Sequence, residues 1–179
     1  RCAEKALEIK KSAEARSALL GAPRSWAATT APRATLHSSA KRGDVDGVRA
    51  AIKAGADVRE KGQYDRTALH HAADKGHIPC CRALLGAGAA VDARNDRATT
   101  PLILAAQGGF TDVCRLLLGS GADVNATKEF GATALHWAAR NGHVDACLFL
   151  QLAGANVLAA ADDGHGTPSD DAMASGHPA

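Results

Sequence analysis

The chain has 179 residues and is 46% apolar but only 3% aromatic, so its core must be assembled from Leu, Val, Ala and Cys in thin, closely packed layers. Its formal charge is +2. Residues 1–60 carry 12 basic and 7 acidic groups and the remainder 9 and 12, a tilt too slight for a nucleic-acid footprint. No apolar run approaches the ~20 residues of a membrane span, no secretory-leader pattern is visible, and Glu4, Glu8 and Glu14 interrupt the basic N-terminus against the habit of a transit peptide.

Residues 1–20, RCAEKALEIKKSAEARSALL, are dominated by Ala, Leu, Glu and Lys and lack Pro and Gly, which predicts a helix. Its apolar stripe (Ala3, Leu7, Ala13, Leu20) is ragged, fitting either a loosely docked helix or a degenerate preceding repeat. Residues 21–33, GAPRSWAATTAPR, hold two prolines among small residues and predict a linker that carries Trp26.

From residue 34 onward the chain repeats itself at an offset of 33. TALHHAADKGH at 67–77 returns as TALHWAARNGH at 133–143. Leu36, Leu69, Leu102 and Leu135 align, as do Gly43, Gly76, Gly109 and Gly142, and Val58, Val91, Val124 and Val157 close the units. Thr67, Thr100 and Thr133 are N-cap candidates, and Pro101 and Pro168 sit where a first helical residue misses no N–H. Leu followed by an Ala pair at i+3 and i+4 gives a narrow apolar stripe on a short helix, ended by Gly76, Gly109 or Gly142. A second helix follows, with Ile78, Cys81, Leu84 and Leu85 on one face, and ends at Gly88-Ala89 or its equivalents. An Asp/Asn/Gly-rich turn leads into the next unit. Neither helix alone reaches the ~12–15 residues that are marginal in isolation, so stability must come from stacked neighbours.

The segments TALHHAADKGH, TTPLILAAQGG, LLLGSGADVNA and TALHWAARNGH resemble the ankyrin repeat over about residues 34–178. The resemblance implies an all-α solenoid of about four full units and a partial fifth, with β-hairpin-like loops projecting from paired antiparallel helices. It implies a protein-binding scaffold or adaptor without catalysis. It also implies that His37, His70 and His136 brace a neighbouring loop through its backbone, and that Asn125 in GADVNA matches a loop Asn hydroxylated in some members. An alternative function is the regulatory or targeting segment of a larger enzyme or channel whose catalytic domain lies outside the chain.

Departures from the pattern carry their own expectations. Ser38-Ser39 in the first unit suggest a polar cap, and Gln151 and Leu158 break the fourth. Ser169 and Asp171 stand at normally apolar positions of the last unit. The chain starts at Arg1 and stops at Ala179 just after a first helix, so it reads as a fragment whose fifth unit frays and leaves Leu148, Phe149 and Leu150 poorly covered.

Cys81, Cys114 and Cys147 recur at 33-residue spacing. Equivalent helices in a stack lie about 8–10 Å apart, too far for a disulfide or a shared zinc ion, so these are small buried apolar groups. Unpaired thiols and an odd cysteine count favour the cytoplasm or nucleus. His77 and His143 follow the helix-ending Gly and are expected to cap the next helix, and Trp137 to cover its helix. No HExxH, Cys-x-x-Cys, GxSxG, Walker or GxGxxG motif is present, and Asp162, Asp163, Asp170 and Asp171 read as a solvated acidic face. No cofactor, metal or catalytic residue is expected.

In the family, partners are held by loop tips and the exposed side of the first helices. The matching residues are Gln63, Tyr64, Arg66, Arg97, Glu129 and Phe130 on tips, and Lys75, Arg140 and Asn141 on helices. The expected partner of this monomeric module is another protein, one whose binding segment is acidic or amphipathic to suit the basic and aromatic tips.

Overall fold

A computed structural model describes residues 36–161 and 166–177. The readings made for residues 1–20, the 21–33 linker, Trp26, Asp162 and Asp163 lie outside the described residues.

The helices follow the 33-residue grammar. In chain order they are α1 (helical residues 36–42), α2 (Val45–Lys53), α3 (Ala68–Asp74), α4 (Ile78–Gly86), α5 (Pro101–Gln107), α6 (Thr111–Gly119), α7 (Ala134–Arg140), α8 (Val144–Leu152) and α9 (Pro168–Ala174). No strand forms among the described residues, only isolated bridges such as Thr127 to Thr133. First helices stack in one row (α3 on α5, α5 on α7, α7 on α9) and second helices in another (α2, α4, α6, α8), with the two helices of each unit packed together.

Helices of seven and nine residues persist because each lends a face to a shared core. Leu36, Leu69, Leu102 and Leu135 form one buried line, and Leu84, Leu117 and Leu150 another. Each such side chain contributes roughly 1.5–3 kcal/mol of burial. Ala72, Ala105 and Ala138 are fully buried between neighbouring first helices, where a longer side chain would push the rows apart. Cys80, Cys81 and Cys114 are buried and free, and Cys147 is half-buried.

His70 and His136 each lock their own first helix twice. His70 Nδ1 accepts from the Thr67 N–H (3.1 Å) and the Thr67 hydroxyl (2.9 Å), while its Nε2–H donates to the Thr99 carbonyl of the next loop (3.0 Å). His136 does the same with Thr133 (3.2 and 2.8 Å) and the Gly166 carbonyl (3.2 Å). Where Ile103 replaces His, the Thr100 hydroxyl accepts from the Ile103 N–H instead (3.4 Å).

A second ladder runs along the loops that leave the second helices. Arg59 donates to the Gly88 carbonyl (3.0 Å), Asp92 accepts from Asp123 N–H (3.1 Å), and Asn125 accepts from Asn156 N–H (2.8 Å) while its amide reaches Gly154 O (3.4 Å). The exposed Asn125 therefore serves the stack. Leu158, at the next equivalent position, is 78% exposed.

Four expectations are corrected. His77 and His143 occupy N-cap positions but make no side-chain cap bond. Their rings lie instead on the helix-ending glycine of the preceding unit, His77 on Gly43 and His143 on Gly109, as Phe110 lies on Gly76 and His177 on Gly142. Ser39 is buried, because it fills the Ala slot of the core line and donates to Asp44 (3.4 Å). Asp171 is buried rather than solvated, since it lies with Pro168 and Ala172 on the covered side of α9, which packs on α7. Leu150 is fully covered and Phe149 half-covered, leaving Leu148 as the exposed member of that trio.

Candidate functional site

Three loop tips, at residues 62–66, 95–99 and 128–132, each close on a backbone bond: Gly62 N–H to Arg66 O (2.8 Å), Asn95 to Thr99 (3.2 Å) and Lys128 to Ala132 (3.0 Å). Further backbone bonds join tip to tip, Asp96 N–H to Tyr64 O (3.2 Å) and Glu129 N–H to Arg97 O (3.4 Å). The equivalent residues Tyr64, Arg97 and Phe130 thus form a row, one per unit. Tyr64 and Phe130 adopt φ of +57° and +64° and are 64% and 65% exposed. Left-handed backbone costs an L-residue roughly 1–2 kcal/mol, and here it holds two aromatic rings in water. Gln63 and Glu129 are exposed beside them, whereas Thr99 and Ala132 point inward and are buried.

Behind the row lies a cavity of about 390 Å³ whose walls include Tyr64, Arg66, Arg97, Leu104, Gln107, Lys128 and Trp137. Trp137 is half-buried, with the Lys128 ammonium 4.4 Å and the Arg140 guanidinium 5.4 Å from its ring centre. Arg66 reaches Asp74 at 3.6 Å, and exposed Lys75 meets the same carboxylate at 3.5 Å. The structure thus gathers Tyr64, Arg66 and Arg97 at one cavity, with Phe130, Glu129 and Gln63 along the tips. Asn141 is committed elsewhere: its amide donates to Gln107 O (3.1 Å) and Trp137 O (3.0 Å), tying adjacent units together.

Sequence reasoning omitted Lys128 and treated Trp137 as packing only. The register contained the clue, since Trp137 occupies the slot of His71 and Leu104, on the first-helix face turned toward the tips.

The titratable groups do not make a reaction centre. Burial, outweighing its backbone bond to Thr99, lowers the His70 pKa to about 4, and burial followed by the Arg66 charge lowers that of His71 to about 4. Both rings are neutral at pH 7. Burial pushes the Cys81 and Cys114 thiols up to about 12, so neither offers a thiolate nucleophile. Asp170 is spent on the Thr167 capping box, accepting from its N–H (2.8 Å) and hydroxyl (2.7 Å). Among the described residues no group of three or more His, Cys, Asp or Glu is placed to hold a metal ion. A strong chelator is expected to leave the thermal melt unchanged; a large fall in melting temperature would reveal a structural metal.

No described helix is long and apolar enough to cross a membrane. A comparison with curated proteins returns no match. The family model described as ankyrin repeats (3 copies) matches residues 15–95 and 87–161. Such repeats generally mediate protein–protein interaction and are generally non-catalytic. With this match spanning most of the chain and the stacked helix pairs that accompany it, the protein belongs to the ankyrin repeat family.

Proposed function

We propose that residues 34–178 form a monomeric, non-catalytic scaffold or adaptor module that binds a protein partner on its tip row and the adjoining first-helix surface. The observation that carries this is the pair of exposed aromatic rings at Tyr64 and Phe130, held on left-handed backbone. Strained, solvated aromatics lower stability and bury little, and aromatic and Arg side chains dominate interface energetics. Arg66, Arg97 and Arg140 supply the charged part, with Gln63, Lys75 and Glu129 at the rim, while Asn141 stays with the stack. The free thiols of Cys80, Cys81, Cys114 and Cys147 support a reducing compartment, the cytoplasm or nucleus.

Combined replacement of Tyr64, Arg66, Arg97, Phe130 and Arg140 by Ala should abolish partner capture while leaving the helical CD signal nearly unchanged. Tyr64→Gly and Phe130→Gly should each raise the unfolding free energy by up to about 1 kcal/mol, as the left-handed strain is relieved, and still weaken binding. Loss of capture on changing Arg82 and Arg115 of the second helices, with the tip variants binding normally, would move the interface to the opposite row.

A further inference from the structure

We propose that the tip row takes an extended segment of a partner protein, with an acidic side chain set at Arg97 and a large apolar side chain on each flank, at Tyr64 and at Phe130. The proposal rests on the tip row being the binding surface.

Register comes from the fold. Tyr64, Arg97 and Phe130 are equivalent residues in consecutive units, coupled through the Tyr64 O–Asp96 N and Arg97 O–Glu129 N bonds. Stacked helices lie about 8–10 Å apart, and an extended segment in the polyproline II conformation rises about 3.1 Å per residue with about three residues per turn, so that every third side chain returns to the same face. Each unit therefore corresponds to about three peptide residues. The pattern is apolar, two residues, acidic, two residues, apolar.

The central position is chosen by charge. Arg97 is exposed and makes no ion pair with any described residue. Of the charged groups walling the cavity, Arg66, Arg97 and Lys128 are cationic and Asp96 alone is anionic; Arg66 is paired with Asp74, so Arg97 and Lys128 supply the excess. Two further N–H donors there, Arg66 Nε and Trp137 Nε1, are shielded and have no protein acceptor. A carboxylate is an acceptor only, so an acid entering from the tip meets an excess of both positive charge and donors. Glu129 stands one unit along, beside the Phe130 flank, where it opposes an acid placed out of register. The larger depression of about 650 Å³ between α6 and α8 is mainly apolar, and its Arg115 already lies 4.8 Å over the Phe149 ring and 3.9 Å from Asp112.

The test pans a phage library of random heptapeptides against the whole chain and measures the affinity of the selected peptides. Enrichment of a central Asp or Glu with large apolar residues three positions to each side is expected. Binding should fall about tenfold or more on Arg97→Glu, recover when the peptide's acid is changed to Lys, weaken with added salt, and ignore Arg82→Glu. Selected peptides that lack the central acid but lose affinity with Tyr64→Ala or Phe130→Ala would overturn the acidic register and leave the surface standing. Peptides affected only by Arg115→Glu or Leu148→Ala would overturn the surface itself. A library that yields no binder also overturns the proposal.

Discussion

Lowering the pH from about 6.5 to about 4 should withdraw about 3 kcal/mol of folding free energy at His70 alone. This ring is fully buried and its pKa falls from 6.5 to about 4. The folded state therefore binds fewer protons than the unfolded chain throughout this window. The sign is unambiguous: the contribution is whole above pH 6.5, declines as the pH drops, and is gone below about 4. The neutral form is required because Nδ1 accepts from Thr67 while Nε2–H donates to Thr99, and a doubly protonated ring has no lone pair to accept with. His71 shifts in the same direction and steepens the slope. Ordinary carboxylates titrate near 4, so the upper part of the window isolates the histidines. Urea unfolding at pH 7.0, 6.0 and 5.0 (settings spanning roughly the model-peptide His pKa) should show a steadily falling free energy, and His70→Gln should flatten the slope. Equal stability at pH 7 and pH 5 in the unaltered protein would contradict a neutral, buried His70.

The second large effect concerns glycines that look interchangeable in sequence. Gly109→Ala should destabilise by about 2–4 kcal/mol and Gly88→Ala by only about 1–2 kcal/mol. Both have positive φ, +70° and +87°, so both lose the roughly 1–2 kcal/mol that left-handed backbone costs an L-residue. A Cβ on Gly88 meets nothing within 4 Å. A Cβ on Gly109 would lie 2.6 Å from His143 Nδ1, inside van der Waals contact, and would push off a ring whose Nε2 bonds Gln107 O at 3.1 Å. The damage then spreads to the interface between two units, which is where a solenoid keeps much of its stability. Chemical denaturation of the two variants, side by side, measures the difference. Equal losses would mean that the ring-on-glycine contact contributes nothing.

Much of the fold was legible before any coordinates. The Leu and Ala-pair spacing, the Thr caps and the glycine stops each specify one short helix, and the 33-residue return of the whole set specifies stacking. The family's loop-bracing role was visible at His70 and His136. What misled were residues whose fate depends on a neighbour. Ser39 and Asp171 are polar by type yet buried, because each occupies a slot that the stack covers. His77 and His143 stand where caps belong, but a glycine one unit away leaves a hollow that their rings fill.

The binding surface divides the same way. The family resemblance, carried by the register of each residue within its repeat, placed Tyr64, Arg66, Arg97 and Phe130 on loop tips. It could not show that Tyr64 and Phe130 carry positive φ, that Trp137 and Lys128 complete the wall behind Tyr64 and Arg97, or that Asn141 is already bound to Gln107. The wall and the Asn141 bond arise from contacts between residues about 30 or more positions apart, whereas the positive φ values belong to tight tips that each close on a backbone bond four residues across. Periodicity therefore fixes the units and their order, through interactions within a turn or two of chain. The cavity and its charge exist only once units are stacked, because its walls come from different repeats.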